Sequence, residues 1–505
     1  MNTSEWKSID EKDFEAILES SISNSLPDDI VSEVTPWKKA MNRILIGIVL
    51  CTVTFNFLCL DYILPAIGTV LSLLGFRALR RENRWFGFCF VITAIQAACF
   101  FPMLIINTFI IRNTVLTPSI TTALAVASAL LSIAKFFCLW RGLRSVQKKV
   151  NLSSRIDGAV ALIIWYAIIC FFALIEFDEM IIAGAMLIGY IFIIRSIYKL
   201  SKGLDEAGYS IKPVSVKITD RFIALTIVTM LIIGCTCGYA FGGSYKMEWS
   251  AVDSSGHTEV EDIKNRLIEL GSPEYVLNDL TPEDIEACDK AVRVVVKTED
   301  IPVNKGRSVV SKEYDANRER YVEHSTTVFD VKELRITDVA VELSGEGEEW
   351  VIFHHFLWTV NPGFYGTESI QLWPAYYKAH SECWNPIGEV SGRVLYDENG
   401  KTLTAPYYSL ENETFTSNSV FFGEQTNTDV FATFSMPRKG ENCRGYLAYR
   451  AAGNPDRHIF ESWFNYTHQE NPFQYPVVTA KEKRMTSGGW NDGLAFRTIQ
   501  EQFLF

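Results

Sequence analysis

Apolar residues between Ile44 and Phe241 collect into seven runs, and beyond Trp249 the pattern shortens first to helical spacing and then to alternation. At a rise of about 1.5 Å per residue, about 20 residues cross a hydrocarbon core of about 30 Å. On that measure the runs 44–60, 62–76, 85–110, 118–140, 158–175, 180–194 and 222–241 predict seven membrane helices, the third kinked at Pro102. Thr35-Pro36 and Thr117-Pro118 each offer an N-cap hydroxyl before a first-turn proline, and Asp220 offers a cap to the seventh helix. Ahead of the first run, 8–22 reads as a short amphipathic helix or a solvated acidic tail.

After the membrane runs, 257–270 repeats apolar residues at helical spacing, and Thr281-Pro282-Glu283-Asp284 has the chemistry of a helix start. From Val292 onward strands dominate. The pairs 335–343 with 350–360, 390–396 with 402–408 and 430–435 with 445–450 flank Gly345-Glu346-Gly347, Asn399-Gly400 and Gly440, and each predicts a hairpin. A further strand is expected at 458–466. The expected fold is therefore a membrane α-helical bundle of seven transmembrane helices followed by a mainly-β domain, a β-sandwich or jelly roll with a short helical neck. Its parts are an acidic tail at 1–43, the bundle at 44–242, the neck at 243–291 and the sandwich at 292–505.

Charge supplies the orientation. The chain has 505 residues and a net charge of -12, with 17 basic and 9 acidic residues in 44–245 but 25 and 41 in 246–505. Basic loops stay on the cytoplasmic side, and Lys38, Lys39, Arg43, then Arg77 to Arg84, Arg141 to Arg155 and Arg195 to Arg221 all fall on one side of the runs. This predicts a cytosolic N-terminus, three tight outward hairpins and an extracytoplasmic C-terminal domain in a plasma membrane. That domain's acidity speaks against a nucleic-acid partner.

Candidate chemistry is sparse. Lys135 is the one charge inside a run, and because it lies about 9 Å along the helix from Arg141 its ammonium is expected to snorkel to the cytoplasmic interface. Asn56, Gln96 and Asn107 are the other strongly polar side chains in the runs and are expected to join helices or, in a transporter, to line a path. Gly234, Gly238 and Gly242 give the seventh helix a face for close packing, against the bundle or a second copy. Eight of the eleven cysteines lie in apolar runs. Of the rest, Cys383 and Cys443 are the more plausible disulfide pair, leaving Cys288. In the outer domain Trp373, Tyr376, Tyr377 and Trp384 form a candidate platform for stacking on sugar rings, with core filling as the plainer reading of these aromatics. His354 and His355 must point to opposite faces of their strand, Asp397-Glu398-Asn399-Gly400 reads as a turn rather than a calcium loop, and no GxSxG is present. No metal or cofactor site is expected.

Three stretches, Asp28 to Arg43, Gly75-Phe-Arg-Ala-Leu-Arg-Arg-Glu-Asn-Arg-Trp-Phe86 and Gly203-Leu-Asp-Glu-Ala-Gly-Tyr209, resemble a group of uncharacterised multi-spanning membrane proteins of gut-type Gram-positive bacteria with an extracytoplasmic C-terminal domain. That resemblance implies a bacterial plasma membrane and contributes no site residue. The expected function is non-enzymatic binding or sensing of an envelope glycan or protein. A transport or channel subunit is the alternative, and an extracytoplasmic enzyme, needing a nucleophile and base brought together from distant positions, ranks last.

Overall fold

A computed structural model describes residues 36–151, 157–175, 180–211, 218–252, 258–315, 320–345, 349–373, 384–419, 423–453, 461–487 and 495–505. The expected helix at 8–22 and the cap at Thr35 lie outside them. The chain divides into two compact units, the first of Met1–Ile106 and Asn113–Cys235, the second of Asn107–Arg112 and Thr236–Phe505.

All seven apolar runs are helical: α1 (Pro36–Thr52), α2 (Leu60–Leu79), α3 (Arg84–Ile106), α4 (Pro118–Val150), α5 (Asp157–Leu174), α6 (Met180–Glu206) and α7 (Asp220–Phe241). Five of them, α2, α3, α4, α6 and α7, are long and apolar enough to cross a membrane, and α5 is a shorter apolar helix. The first run is displaced from its expected place. Leu58 and Cys59 adopt positive φ of 50° and 57°, which reverses the chain at 53–59, so the helix covers Pro36–Thr52. α4 and α6 run on past their apolar stretches into basic, solvent-compatible turns.

Caps fix the starts. Thr117 Oγ1 accepts from Ile120 N, as its sequence predicts, and Asn83 Oδ1 accepts from the backbone N–H groups of Trp85 and Phe86. At α7 the cap is Thr219, whose hydroxyl accepts from Phe222 N at 3.2 Å. Asp220, expected in that role, instead pairs with Arg43 at 2.6 Å and Arg77 at 3.2 Å, tying the start of α7 to the middle of α1 and the last turn of α2. Nearby, Trp37 is fully buried. Its indole donates to Ser201 O, its ring meets Tyr209 edge-on at 5.0 Å, and the Tyr209 hydroxyl donates to Glu82 at 2.7 Å.

In the second unit, a seven-stranded antiparallel sheet has the order β1 (Ser250–Ala251), β9 (Lys401–Pro406), β8 (Trp384–Glu398), β12 (Glu441–Gly453), β6 (Glu349–Trp358), β5 (Leu334–Leu343), β2 (Ala291–Ile301). A five-stranded sheet has the order β10 (Ser409–Ser419), β11 (Gly423–Phe434), β7 (Glu368–Trp373), β13 (Glu461–Gln469), β14 (Phe496–Leu504). β3 (Arg307–Asp315) and β4 (Arg320–Val328) form a separate ribbon. Alternate residues of the two sheets share one core: Ile336, Ile352, Phe356 and Trp358 from the larger, Ile370, Phe434, Phe464 and Tyr466 from the smaller. The helices expected as a neck, α8 (Thr258–Glu269), α9 (Glu274–Leu277) and α10 (Pro282–Glu286), lie on the other face of the large sheet, where Val276, Leu277, Ile285 and Cys288 cover Val339, Val341, Val351 and Phe353. α11 (Ala480–Ser487) packs on the small sheet.

Two expected hairpins form. β5 pairs with β6, and β8 pairs with β9 through Asn399 and Gly400, whose φ of 51° and 72° suit a tight primed turn. The third does not: β11 pairs with β10 and β7 while β12 pairs with β6 and β8, so the Gly440 turn carries the chain from one sheet to the other. Both strands are apolar enough for either sheet, and periodicity does not distinguish a hairpin from a crossover.

α1 and α2 approach closely at small residues. A Cβ on Gly75 would stand 2.6 Å from Ile44 Cγ1 and 2.9 Å from Ala40 O, whereas one on Gly184 of α6 meets nothing within 4 Å. Gly75→Leu is therefore expected to destabilise by about 1–3 kcal/mol, as overpacking does, while Gly184→Leu is neutral; thermal melts of the two purified variants check this.

Candidate functional site

Lys135 departs from its sequence expectation. It is nine-tenths buried and donates from Nζ to Gln96 Oε1 at 2.8 Å, and Gln96 Nε2 donates to Ser132 Oγ at 2.9 Å. The Cα–Cβ bonds of a helix tilt toward its N-terminus, so the side chain is aimed away from Arg141, not toward it, and reaches the middle of α3. Cys89 Sγ donates to the Lys135 carbonyl at 3.4 Å, and Phe136 lies under the ammonium at 5.6 Å. Among the described residues no carboxylate pairs with it. Gln96 thus joins helices through Lys135 and Ser132, while Asn56 is exposed in the 53–59 reversal.

Asn107 belongs to the second unit, directly after α3. Its carbonyl accepts from Val477 N at 2.8 Å and its amide reaches the Tyr475 hydroxyl at 3.4 Å. In the same unit Ile110 N donates to Gly242 O at 2.8 Å and Tyr239 Oη donates to Gln474 O at 2.6 Å. The glycine face of α7 meets this segment: a Cβ on Gly238 or Gly242 would collide with Thr108 or Phe109, and one on Gly234, in the first unit, with Ile105. The turn after α3, the last turn of α7 and the loop before α11 are thereby bound into the unit that holds the sheets.

Of the four aromatics expected as a platform, only the strand positions of two are described. Trp373 ends β7 opposite Trp463, and Trp384 opens β8 opposite Gly453, whereas Tyr376 and Tyr377 lie outside the described residues. Trp350, Trp358 and Phe364, from the same stretch, fill the core. Cys383 also lies outside the described residues. Cys443 is a buried thiol donating to Gly440 O, and burial pushes its pKa up to about 12.

Two buried polar networks escaped sequence reading. His354 and His355 do point to opposite faces. His355 Nε2 bonds Asp279 at 2.8 Å, Arg444 Nε donates to the same carboxylate, and Arg444 Nη1 donates to Asp397 at 3.0 Å. Burial works against ionisation of Asp397, but bonds from Asn442, Arg444 and Thr402 hold its carboxyl below the usual range, and they occupy oxygens that a calcium loop would need.

On the core face, His354 Nδ1 meets Asp338 Oδ1 at 2.6 Å, and Nε2 meets Ser462 Oγ at 2.7 Å. The connectivity is that of a serine nucleophile, its base and an orienting acid, assembled from three strands. The surroundings deny it a substrate. Ser462, His354 and Asp338 are almost wholly buried, Tyr449 Oη donates to Ser462 Oγ at 2.7 Å, and Phe464 stacks on His354 at 5.3 Å. With the serine oxygen bonded on both sides there is no room for an attacked carbonyl or oxyanion donors among the described residues. No spacing in the sequence marks this set, because its members come from β5, β6 and β13.

Compared with known proteins, the chain matches no family model and no curated protein. The Ser462 set is expected to behave as a satisfied core network. Ser462→Ala then destabilises by about 1–3 kcal/mol by orphaning its partners, and a fluorophosphonate probe leaves the folded wild type unlabelled, as mass spectrometry of the treated protein would read.

Proposed function

We propose that the chain is a seven-span plasma-membrane protein, N-terminus in the cytosol, whose β unit stands outside, binds an envelope glycan or protein, and passes occupancy to the helices. The observation that carries this reading is the inclusion of Asn107–Arg112 and the end of α7 in the compact unit of the sheets, through backbone and side-chain bonds at Asn107, Ile110 and Tyr239. A domain that merely hung from the membrane would need one tether. Here two separate chain segments that continue from membrane helices are built into it, so a ligand favouring one arrangement of the unit acts on both. The one-sided basic loops support the orientation, and the sequence positions proposed for sugar stacking are those of Trp373, Tyr376, Tyr377 and Trp384. No cofactor and no nucleic acid enter this reading.

The test uses the full chain in lipid nanodiscs, screened by thermal shift against envelope glycans and peptides. Ligand at about 100 times its Kd adds about 2.7 kcal/mol to the bound state, so a dose-dependent rise in melting temperature is expected, with altered amide exchange at Asn107–Arg112. A panel that moves neither removes the reading.

A transport or channel role is favoured by one observation, Lys135 bonded to Gln96 with no carboxylate partner among the described residues. Intramembrane ionisable groups are costly and commonly mark ion or substrate paths. In proteoliposomes, a wild-type ion or proton flux abolished by Lys135→Met, with the fold intact, is the expected result on this reading. Wild-type liposomes as tight as empty ones would dismiss it.

A further inference from the structure

The loop from Asn471 to Val478, between β13 and α11, contains no charged residue, and its conformation is fixed by its own bonds. Phe473 N donates to Asn471 Oδ1 at 2.8 Å, Gln474 N to Pro472 O at 3.1 Å, and Gln474 Nε2 to Val478 O at 2.6 Å. It is held beside the last turn of α7 by the Tyr239 hydroxyl on Gln474 O, and beside the turn after α3 by Val477 N on Asn107 O. Yet the tip side chain, Phe473, is 80% exposed, with its ring 6.4 Å from that of Tyr239. Phe241, on that same last turn of α7, is 84% exposed, and Ile111 of the turn after α3 is 52% exposed. An ordered, uncharged loop that presents a phenylalanine to water at the level where an apolar helix ends has the make-up of an interfacial anchor, in which aromatic rings occupy the boundary between headgroups and acyl chains.

We propose that the 471–478 loop is a membrane foot of the β unit, with Phe473 inserted into the lipid at the boundary that α7 reaches at Phe241. The partner is the phospholipid of that leaflet. The inference rests on the membrane reading of α7 and adds to it a second, non-spanning contact with lipid. Such a foot fixes the height of the loop, and through the Asn107 and Tyr239 bonds it fixes the height of the helix ends as well. Phe473 then has a role that neither the sheet core nor the aromatic strand ends supply.

The experiment replaces Phe473 with photoreactive p-benzoylphenylalanine in the full chain, reconstituted in phosphatidylcholine and phosphatidylglycerol nanodiscs. Parallel replacements are made at Phe171, exposed on α5, and at Tyr321, exposed on β4. After irradiation, mass spectrometry reads phospholipid adducts. The expected result is an adduct at 473 as strong as that at 171, with none at 321. An adduct at 171 without one at 473 overturns the foot and leaves the membrane reading standing. Silence at both positions removes the membrane reading and the foot together, and equal labelling at 321 shows that exposure alone gives adducts and overturns the assignment.

Discussion

A polar group taken out of water must be paired, because an amide or hydroxyl left alone in apolar surroundings costs several kcal/mol and a charge far more. That constraint organises both units. Among the helices it turns Lys135 toward Gln96, whose amide in turn donates to Ser132. Between the sheets it sets His354 between Asp338 and Ser462, and on the far side of the large sheet it gathers His355 and Arg444 on Asp279. Apolar packing surrounds each set and could be satisfied by many registers. The polar bonds admit few, so they supply the specificity that packing of interchangeable aliphatic side chains lacks.

The basic end of the helical unit depends on a comparable junction. Trp37, Phe86 and Tyr209 meet there, with Glu82 and Ser201 taking the polar tips and Asp220 shared by two arginines. Residues 36–43, 75–86 and 203–209 supply most of these residues. Far apart in the chain, they are neighbours in space, which gives their distinctive composition a packing reason: one large indole must be enclosed, and its enclosure takes a tyrosine, a phenylalanine and a carboxylate in fixed positions.

Periodicity and turn chemistry were sufficient for the seven helices, the strand-rich half and the hairpins at Asn399-Gly400 and Gly345, since each depends on neighbours in the chain. They were insufficient where a choice depended on distant residues. Gly440 divides two sheets because the partners of β11 and β12 lie elsewhere in the chain, and neither strand carries a mark of its sheet. Distance to the interface alone predicts a snorkelling Lys135, but the N-terminal tilt of its Cα–Cβ bond aims the side chain the other way. The Asp338, His354 and Ser462 set was invisible for the reason that catalytic sets generally are, and its burial shows that such geometry serves a core as readily as a reaction.

Between the end of α7 at Phe241 and the start of β1 at Ser250 the chain has no slack. Tyr245 N donates to Ser435 Oγ, the Tyr245 ring stacks on Tyr408 at 4.4 Å, and Trp249 sits edge-on to Tyr396 at 4.7 Å. The connection is part of the sheets rather than a leash. A flexible leash would let the sheets turn freely about the last turn of α7, whereas these contacts make that turn and the sheets move together as parts of one compact unit.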